Sequence, residues 1–407
     1  MQYRVLIAED SNFFQMRLKE IIDEHPQLNV IGIAANGQEA IDMAAKLKPD
    51  IISMDYEMPF LDGVTAVRAI MAANPVPIVM FSSMTYEGAK ITLDALEAGA
   101  VDFMNKNFAE VAGNARTFKE KLHEKLLLFA GNAKPRSARS FTDSTPAASS
   151  ALSNNKLDSN SRNTTHRRVA HTNTPDSRER ISGRYTPPSS SADAALRNNA
   201  ARDRQAETPP ARAMPTRRLK GKVKLLVIGA STGGPVAVAE VICRLPANFP
   251  VPILIAQHMP ENFTQAFAER MNRQSALTVA QAESGSRVEQ GFVWVAPGGK
   301  QMMLERGGRS VKVIDGDDRV NYKPSVDITF ASAASIYGDG VLGIMLTGMG
   351  SDGCDGARLI KEKGGTIWSQ DRATSVVYGM PASVEKHNIT SCILPIKDIA
   401  RKLMSEL

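Results

Sequence analysis

The sequence predicts two doubly wound α/β domains, the second carrying a small antiparallel hairpin, joined by a long disordered linker. Short apolar runs alternate with helix-period segments over residues 1–108 and again from Leu219 onward, the pattern of parallel strands with helices on both faces of a sheet. Between these stretches the composition shifts to Ser, Thr, Asn, Arg, Pro and Ala. The chain of 407 residues, 43% hydrophobic and 23% charged, has enough apolar residues to fill two cores. The expected boundaries are 1–130, 131–218 and 219–407.

In the first domain, apolar runs at 4–8, 29–34, 51–54, 77–81 and 101–104 read as five parallel strands. Segments with helical periodicity at 13–24, 38–47, 64–73 and 87–97 connect them, and a last amphipathic segment at 118–129 closes the domain. Residues 131–218 hold 16 Lys/Arg against 7 Asp/Glu, a larger surplus than the net +6 of the whole chain, so the two folded parts are slightly acidic. This stretch has too few large aliphatics to offset chain entropy and is expected to be disordered. The basic charge therefore belongs to a tether. No basic helix-turn-helix is visible, which argues against nucleic acid as a partner.

The second domain repeats the alternation, with strands expected at 223–228, 253–256, 292–296, 302–304, 311–314 and 341–346. Helices are expected at 236–245, 263–272, 326–337 and 356–363, and the close spacing of the strands between 292 and 314 predicts the hairpin. No apolar run approaches the ~18 residues of a membrane span, and the N-terminus lacks the apolar region of a signal peptide. The expected location is cytoplasmic. Cys243, Cys354 and Cys392 share no C-x-x-C spacing and read as ordinary buried thiols.

Each domain collects polar residues at the carboxyl ends of its strands, where open parallel sheets bind ligands. In the first, Glu9 and Asp10 follow strand 1, Asp55 ends strand 3, Ser82 ends strand 4 and Lys106 follows strand 5. Three carboxylates packed together repel unless a hard cation joins them, and Mg²⁺ suits a few carboxylates, water and a phosphoryl oxygen. Asp55 is then a nucleophile for a phosphoryl group, Ser82 a hydrogen-bond donor to it and Lys106 its counter-charge. The segment Asp55-Tyr56-Glu57-Met58-Pro59-Phe60-Leu61-Asp62-Gly63 resembles the D-x-x-M-P-x-x-D-G stretch of two-component receiver domains, which are flavodoxin-like. That resemblance implies phosphorylation at Asp55 with Glu9, Asp10 and Asp55 on the metal. Phe103 stands at the family's switch-aromatic position and reads equally as core.

In the second domain the strand at 223–228 leads into Gly229-Ala230-Ser231-Thr232-Gly233-Gly234-Pro235 and a helix. This tight turn exposes Ser231 beside backbone N–H groups suited to developing negative charge. A dinucleotide loop is not matched, because Ser occupies the second Gly position of G-x-G-x-x-G. The G-x-S-x-G elbow of α/β-hydrolases is matched, but the chain order of its partners is not: the only late histidine, His387, lies in an unremarkable polar context. His258 follows the strand at 253–256 and is the better base if the two strands are neighbours. Asp352, in the glycine-dense turn after 341–346, is placed to reach its Nδ1.

The segments Gly229 to Gly234, Gln257-His258-Met259-Pro260, Pro324-Ser325-Val326-Asp327, Leu346 to Gly353 and Ser375 to Pro381 resemble the catalytic domain of chemotaxis protein-glutamate methylesterases. With the receiver, the order of both domains matches that family of response regulators. The resemblance implies a Ser231–His258–Asp352 triad with the Met349 backbone N–H at the oxyanion, acting without a metal. It also implies hydrolysis of glutamate γ-methyl esters and deamidation of particular glutamines on methyl-accepting chemotaxis receptors. A chemotaxis histidine kinase is the implied phosphodonor, and the membrane is approached only through the receptors.

Overall fold

A computed structural model describes residues 2–83, 85–106, 116–131, 219–317 and 319–407. The expected disordered linker at 131–218 lies, but for Gly131, outside the described residues. The first domain is a five-stranded parallel sheet in the order β2-β1-β3-β4-β5, built from β1 (Tyr3–Ala8), β2 (Leu28–Ala34), β3 (Ile51–Asp55), β4 (Ile78–Ser82) and β5 (Asp102–Asn105). Helices α1 (Asn12–Asp23), α2 (Gly37–Leu47), α3 (Gly63–Ala73), α4 (Tyr86–Ala98) and α5 (Arg116–Gly131) surround it. Local chemistry starts the crossovers. Asn36 accepts the Glu39 N–H at 2.9 Å while Glu39 accepts the Ala35 N–H at 2.8 Å, a reciprocal cap on α2. Asp62 and Thr85 cap α3 and α4 with their side chains, which accept the Thr65 and Gly88 N–H.

The second domain has a seven-stranded parallel sheet in the order β14-β13-β12-β6-β7-β9-β8. Its central strands β6 (Leu225–Ala230), β7 (Ile253–Gln257) and β12 (Val341–Met345) are buried at every position, as strands covered on both faces must be. They are neighbours, with β6 pairing β7 on one side and β12 on the other. The predicted hairpin is β10 (Lys300–Leu304) against β11 (Val311–Asp315), antiparallel and separate from the main sheet. Helices α6 (Gly234–Ile242), α7 (Glu261–Gln274), α8 (Val326–Tyr337) and α9 (Cys354–Glu362) cover the faces. The structure adds elements not expected from the sequence: β8 (Thr278–Gln281), β13 (Thr366–Gln370), β14 (Cys392–Leu394), α10 (Met380–Lys386) and α11 (Ile396–Glu406). The expected strand at 292–296 is β9 (Phe292–Val295).

The two domains share a core. One apolar cluster runs without a break through Leu93 and Leu96 of α4, Val238 and Val241 of α6, and Phe263 and Phe267 of α7. Phe103 of β5 stacks flat on Phe263, with ring centroids 4.6 Å apart and planes at 1°. A second cluster joins Phe81, Phe118 and Leu122 of the first domain to Val377 of the other, with Met349 and Val376 packed against it. Charged pairs border this contact: Arg270 of α7 bridges Asp94 and Glu97 of α4, and the Tyr86 hydroxyl donates to Glu269.

Candidate functional site

The second domain builds its site from three neighbouring strand ends. Ser231 follows β6 directly, and its N–H donates to Thr347 O at 3.0 Å. Gly233, at φ 74°, turns the chain into α6. A side chain there would run into Val376, with its Cβ 2.4 Å from Cγ2, so both the backbone conformation and the packing require glycine. Gly348 lets the turn after β12 close onto the serine: a Cβ at that position would sit 2.9 Å from Ser231 Cβ. His258 follows β7, and its N–H donates to Ala230 O across the strand pair at 3.1 Å. Gln257 ties the two strand ends together, its Nε2 donating to Ser231 O at 2.9 Å and His258 O at 3.3 Å.

Asp352 accepts four hydrogen bonds. His258 Nε2 donates to Oδ2 at 2.7 Å, as does the Val326 N–H at 2.7 Å. The Ser325 hydroxyl donates to Oδ1 at 2.8 Å and the Asp327 N–H to the same oxygen at 3.3 Å. Burial pushes this carboxyl up, but the His258 hydrogen bond and charge, the Val326 N–H and the Ser325 hydroxyl outweigh it and hold Asp352 below the ordinary carboxylate range. Its neighbour Asp327 goes the other way, to about 6, because burial and the charge of Asp352 prevail over the Gly356 N–H it accepts at 2.7 Å.

The structure corrects one atom of the expectation from sequence: Asp352 holds Nε2 of His258, not Nδ1. Nδ1 is buried and has no hydrogen-bond partner. That nitrogen is left as the unbonded end of the ring, with the tautomer set by the acid at the other end. The imidazole is also covered by Tyr322, whose ring stacks on it with centroids 4.1 Å apart and planes at 6°. Met349, expected at the oxyanion through its N–H, lies in the turn after β12 and packs its side chain against the core of the first domain. Tyr322 and the bridging role of Gln257 were not expected, because neither carries a local spacing signal. His387 does not join Ser231, His258 and Asp352. It lies at the end of α10, with Nδ1 2.8 Å from Ser383 O.

At the strand ends of the first domain, oxygens of Glu9, Asp10 and Asp55 all lie within 4.8 Å of one another. Glu9 is raised to about 7 by burial and by the charge of Asp55. Burial also raises Asp55, only partly offset by Lys106. Lys106 Nζ donates to Glu9 at 2.9 Å and to Asp55 at 2.6 Å. Two buried carboxyls driven toward protonation, with a third beside them, are the donor set a hard divalent cation relieves, so the residues fit Mg²⁺. Ser82 is buried with its hydroxyl turned to α4, 3.2 Å from Gly88 O and accepting from Thr92 at 2.6 Å. Among the described residues it makes no bond to Asp55. Asp102 of β5 meanwhile accepts the Thr232 hydroxyl at 3.1 Å, a polar link from the first domain to the residue after Ser231.

Known proteins agree with this division. Residues 226–403 match the CheB methylesterase family and residues 5–116 the response regulator receiver domain. A protein-glutamate methylesterase/protein-glutamine glutaminase 1 from Saccharophagus degradans is 55% identical over 408 residues, covering 100% of both chains. Its counterpart in Vibrio cholerae is 44% identical, covering 100% of this chain and 99% of the relative. The crystal structure of the Thermotoga maritima CheB methylesterase catalytic domain is 42% identical over 46% of this chain and 99% of its own, with a TM-score of 0.44. Among the described residues no helix is long and apolar enough to cross a membrane.

Proposed function

The chain belongs to the protein-glutamate methylesterase/protein-glutamine glutaminase family, and we propose that Ser231, His258 and Asp352 carry its hydrolytic chemistry while Asp55 carries the phosphoryl group that controls it. The enzyme hydrolyses glutamate γ-methyl esters and deamidates glutamines in chemotactic adaptation, under the control of its receiver domain. The observation that carries the triad is the 2.7 Å bond from His258 Nε2 to Asp352, which leaves Nδ1 as a buried, unpaired acceptor.

From there the steps follow. His258 Nδ1 takes the Ser231 proton as Oγ attacks the γ-carbonyl, and the Met349 N–H receives the oxyanion. The imidazolium, paired with Asp352, returns that proton to the departing methoxide, which leaves as methanol, or to the amide nitrogen, which leaves as ammonia. Water, deprotonated by Nδ1, attacks the acyl-enzyme and frees the glutamate carboxylate and the Ser231 hydroxyl.

Receiver domains as a family bind Mg²⁺, and here Glu9, Asp10 and Asp55 would hold it. The ion supplies charge neutralisation for the carboxylates and an incoming phosphoryl group. Lys106 stays protonated throughout: burial opposes its charge, but Asp55 and Glu9 outweigh burial and hold its pKa above the ordinary lysine value. A histidine kinase is the phosphodonor and cytoplasmic helices of chemoreceptors are the substrates. The receiver restrains the enzyme by occupying the side of the site built from Thr232, Met349, Val376 and Val377, which pack on it here. Methanol release from methylated receptor, measured with and without a small-molecule phosphodonor, tests both halves. No release by the purified chain overturns the hydrolytic reading, and release indifferent to phosphodonor overturns the regulatory one.

A further inference from the structure

Tyr322 occupies a position that the triad alone does not explain. Its ring lies flat on the His258 imidazole, centroids 4.1 Å apart at 6°. Its hydroxyl reaches over the turn after β12, close enough that a Cβ on Gly350 would stand 3.2 Å from it. The backbone beneath is fixed by a buried side chain: Gln301 Nε2 donates to Tyr322 O at 2.7 Å, and Gln301 Oε1 accepts the Ser325 N–H at 2.8 Å. Ser325 in turn donates to Asp352 at 2.8 Å. One short segment, pinned by Gln301, thus presents an aromatic face to the base and a hydroxyl to the acid.

We propose that Tyr322 is a positioning residue for His258: its stacked ring holds the imidazole in the plane set by the Nε2–Asp352 bond and offers a π face to the imidazolium formed during turnover. The inference rests on the triad reading. An imidazole anchored only at Nε2 can still swing about the Cβ–Cγ bond, and a parallel ring at this separation blocks that swing on one face while excluding water from it. When Nδ1 gains the serine proton, the positive ring lies against the negative face of the phenol, a favourable arrangement. The phenol itself stays neutral, because burial and the charges of Asp352 and of Glu124 on α5 push its ionisation above that of free tyrosine. The contact acts through the ring, so the hydroxyl is secondary.

The test uses the full-length chain with two readouts: methanol release from methylated receptor, and the rate at which Ser231 is labelled by a fluorophosphonate. Tyr322→Leu and Tyr322→Ala should lower kcat about 10-fold or more with KM within about 2-fold, and slow labelling by the same factor. Tyr322→Phe should recover most of that loss. In a His258→Ala background Tyr322→Leu should add no further loss, since a residue that acts through the imidazole has nothing left to hold. A rise in KM with kcat unchanged would make Tyr322 a wall of the substrate pocket and overturn the proposal. So would labelling at the parental rate in Tyr322→Leu, or an equal further loss without His258. Leu keeps an apolar side chain of intermediate size at this half-exposed position, so the test stands even where Ala unfolds. If His258→Ala itself labels at the parental rate, the triad reading fails; if His258→Ala is slow and Tyr322→Leu is not, only the present inference fails.

Discussion

The two polar clusters of this chain lie at the same place in two similar sheets, yet they are electrostatic opposites. In the second domain the acid beside the histidine has been answered: Asp352 is below its ordinary pKa because His258, Val326 and Ser325 satisfy it despite burial, although Asp327 next to it rises to about 6. In the first, Glu9 is driven up to about 7 and Asp55 also rises, with Lys106 as their shared cation. A pre-satisfied site is ready for a neutral substrate and repeats its chemistry. A frustrated one is completed by what arrives, so its occupancy changes the domain around it and suits it to signalling.

The sharpest way to break this comparison is to remove one nucleophile from each site. Ser231→Ala should reduce methanol release about 10⁴-fold or more with an unchanged melting temperature, whereas Asp55→Asn should leave the unstimulated rate intact and abolish the response to phosphodonor. Comparable losses from both would mean that the aspartate serves the esterase directly. Asp352→Asn should cost about 10³-fold in kcat, because Asn can keep the cap on α8 but cannot balance an imidazolium. Steady-state rates with KM resolved decide this, and a loss under about 10-fold would remove Asp352 from the triad.

Milder changes act on the surface between the domains. Arg270→Glu places a third acidic group beside Asp94 and Glu97 and should raise the unstimulated rate of the full-length enzyme about 3-fold or more, while leaving the stimulated rate as it is. No rise would mean that the α4–α7 contact does not restrain the enzyme. The smallest expected effect tests the pairing of Asp327 with Asp352. With a folded pKa of about 6 against an ordinary 3.8, Asp327 binds its proton more tightly when folded. It therefore favours the native state below pH 4, and that contribution is lost as pH rises through 6. Asp327→Asn keeps an acceptor for the Gly356 N–H and removes the titration. The variant should gain about 1 kcal/mol over the parent between pH 5 and pH 8, a value set below the full shift because the group is partly solvated. Melting curves at both pH values read this gain, and an equal difference at each would refute it.

The sequence announced what depends on strand ends and concealed what depends on loops. Runs such as Leu-Leu-Val-Ile-Gly-Ala and Ile-Leu-Ile-Ala-Gln, short and alternating with helical segments, read as buried parallel strands, and the residues after them, Ser231 and His258, inherit their position. Asp352 followed by the same logic. The strands missed were those whose pattern is mixed, such as Thr-Ile-Trp-Ser-Gln in β13, where the buried Gln370 accepts the Thr347 N–H at 2.8 Å and donates to the Thr374 hydroxyl at 3.3 Å. Which imidazole nitrogen meets the acid was not legible, since it depends on where the 322–326 segment crosses the strand ends. The same holds for Tyr322 and Gln301, whose partners lie far away in sequence. Ser82 shows the converse: its place was legible, but its hydroxyl follows Gly88 and Thr92 of α4.

Asp352 also holds a helix, for it accepts the first N–H groups of α8 through the same oxygens that hold His258 and Ser325. The Val326 amide can therefore trade its proton for deuterium only when the acid lets go of the helix. Exchange at that one position becomes a clock for how often the site comes apart. Turnover faster than that clock never samples a disassembled triad, and a ligand that slows exchange at Val326 has tightened the site without needing to touch the serine.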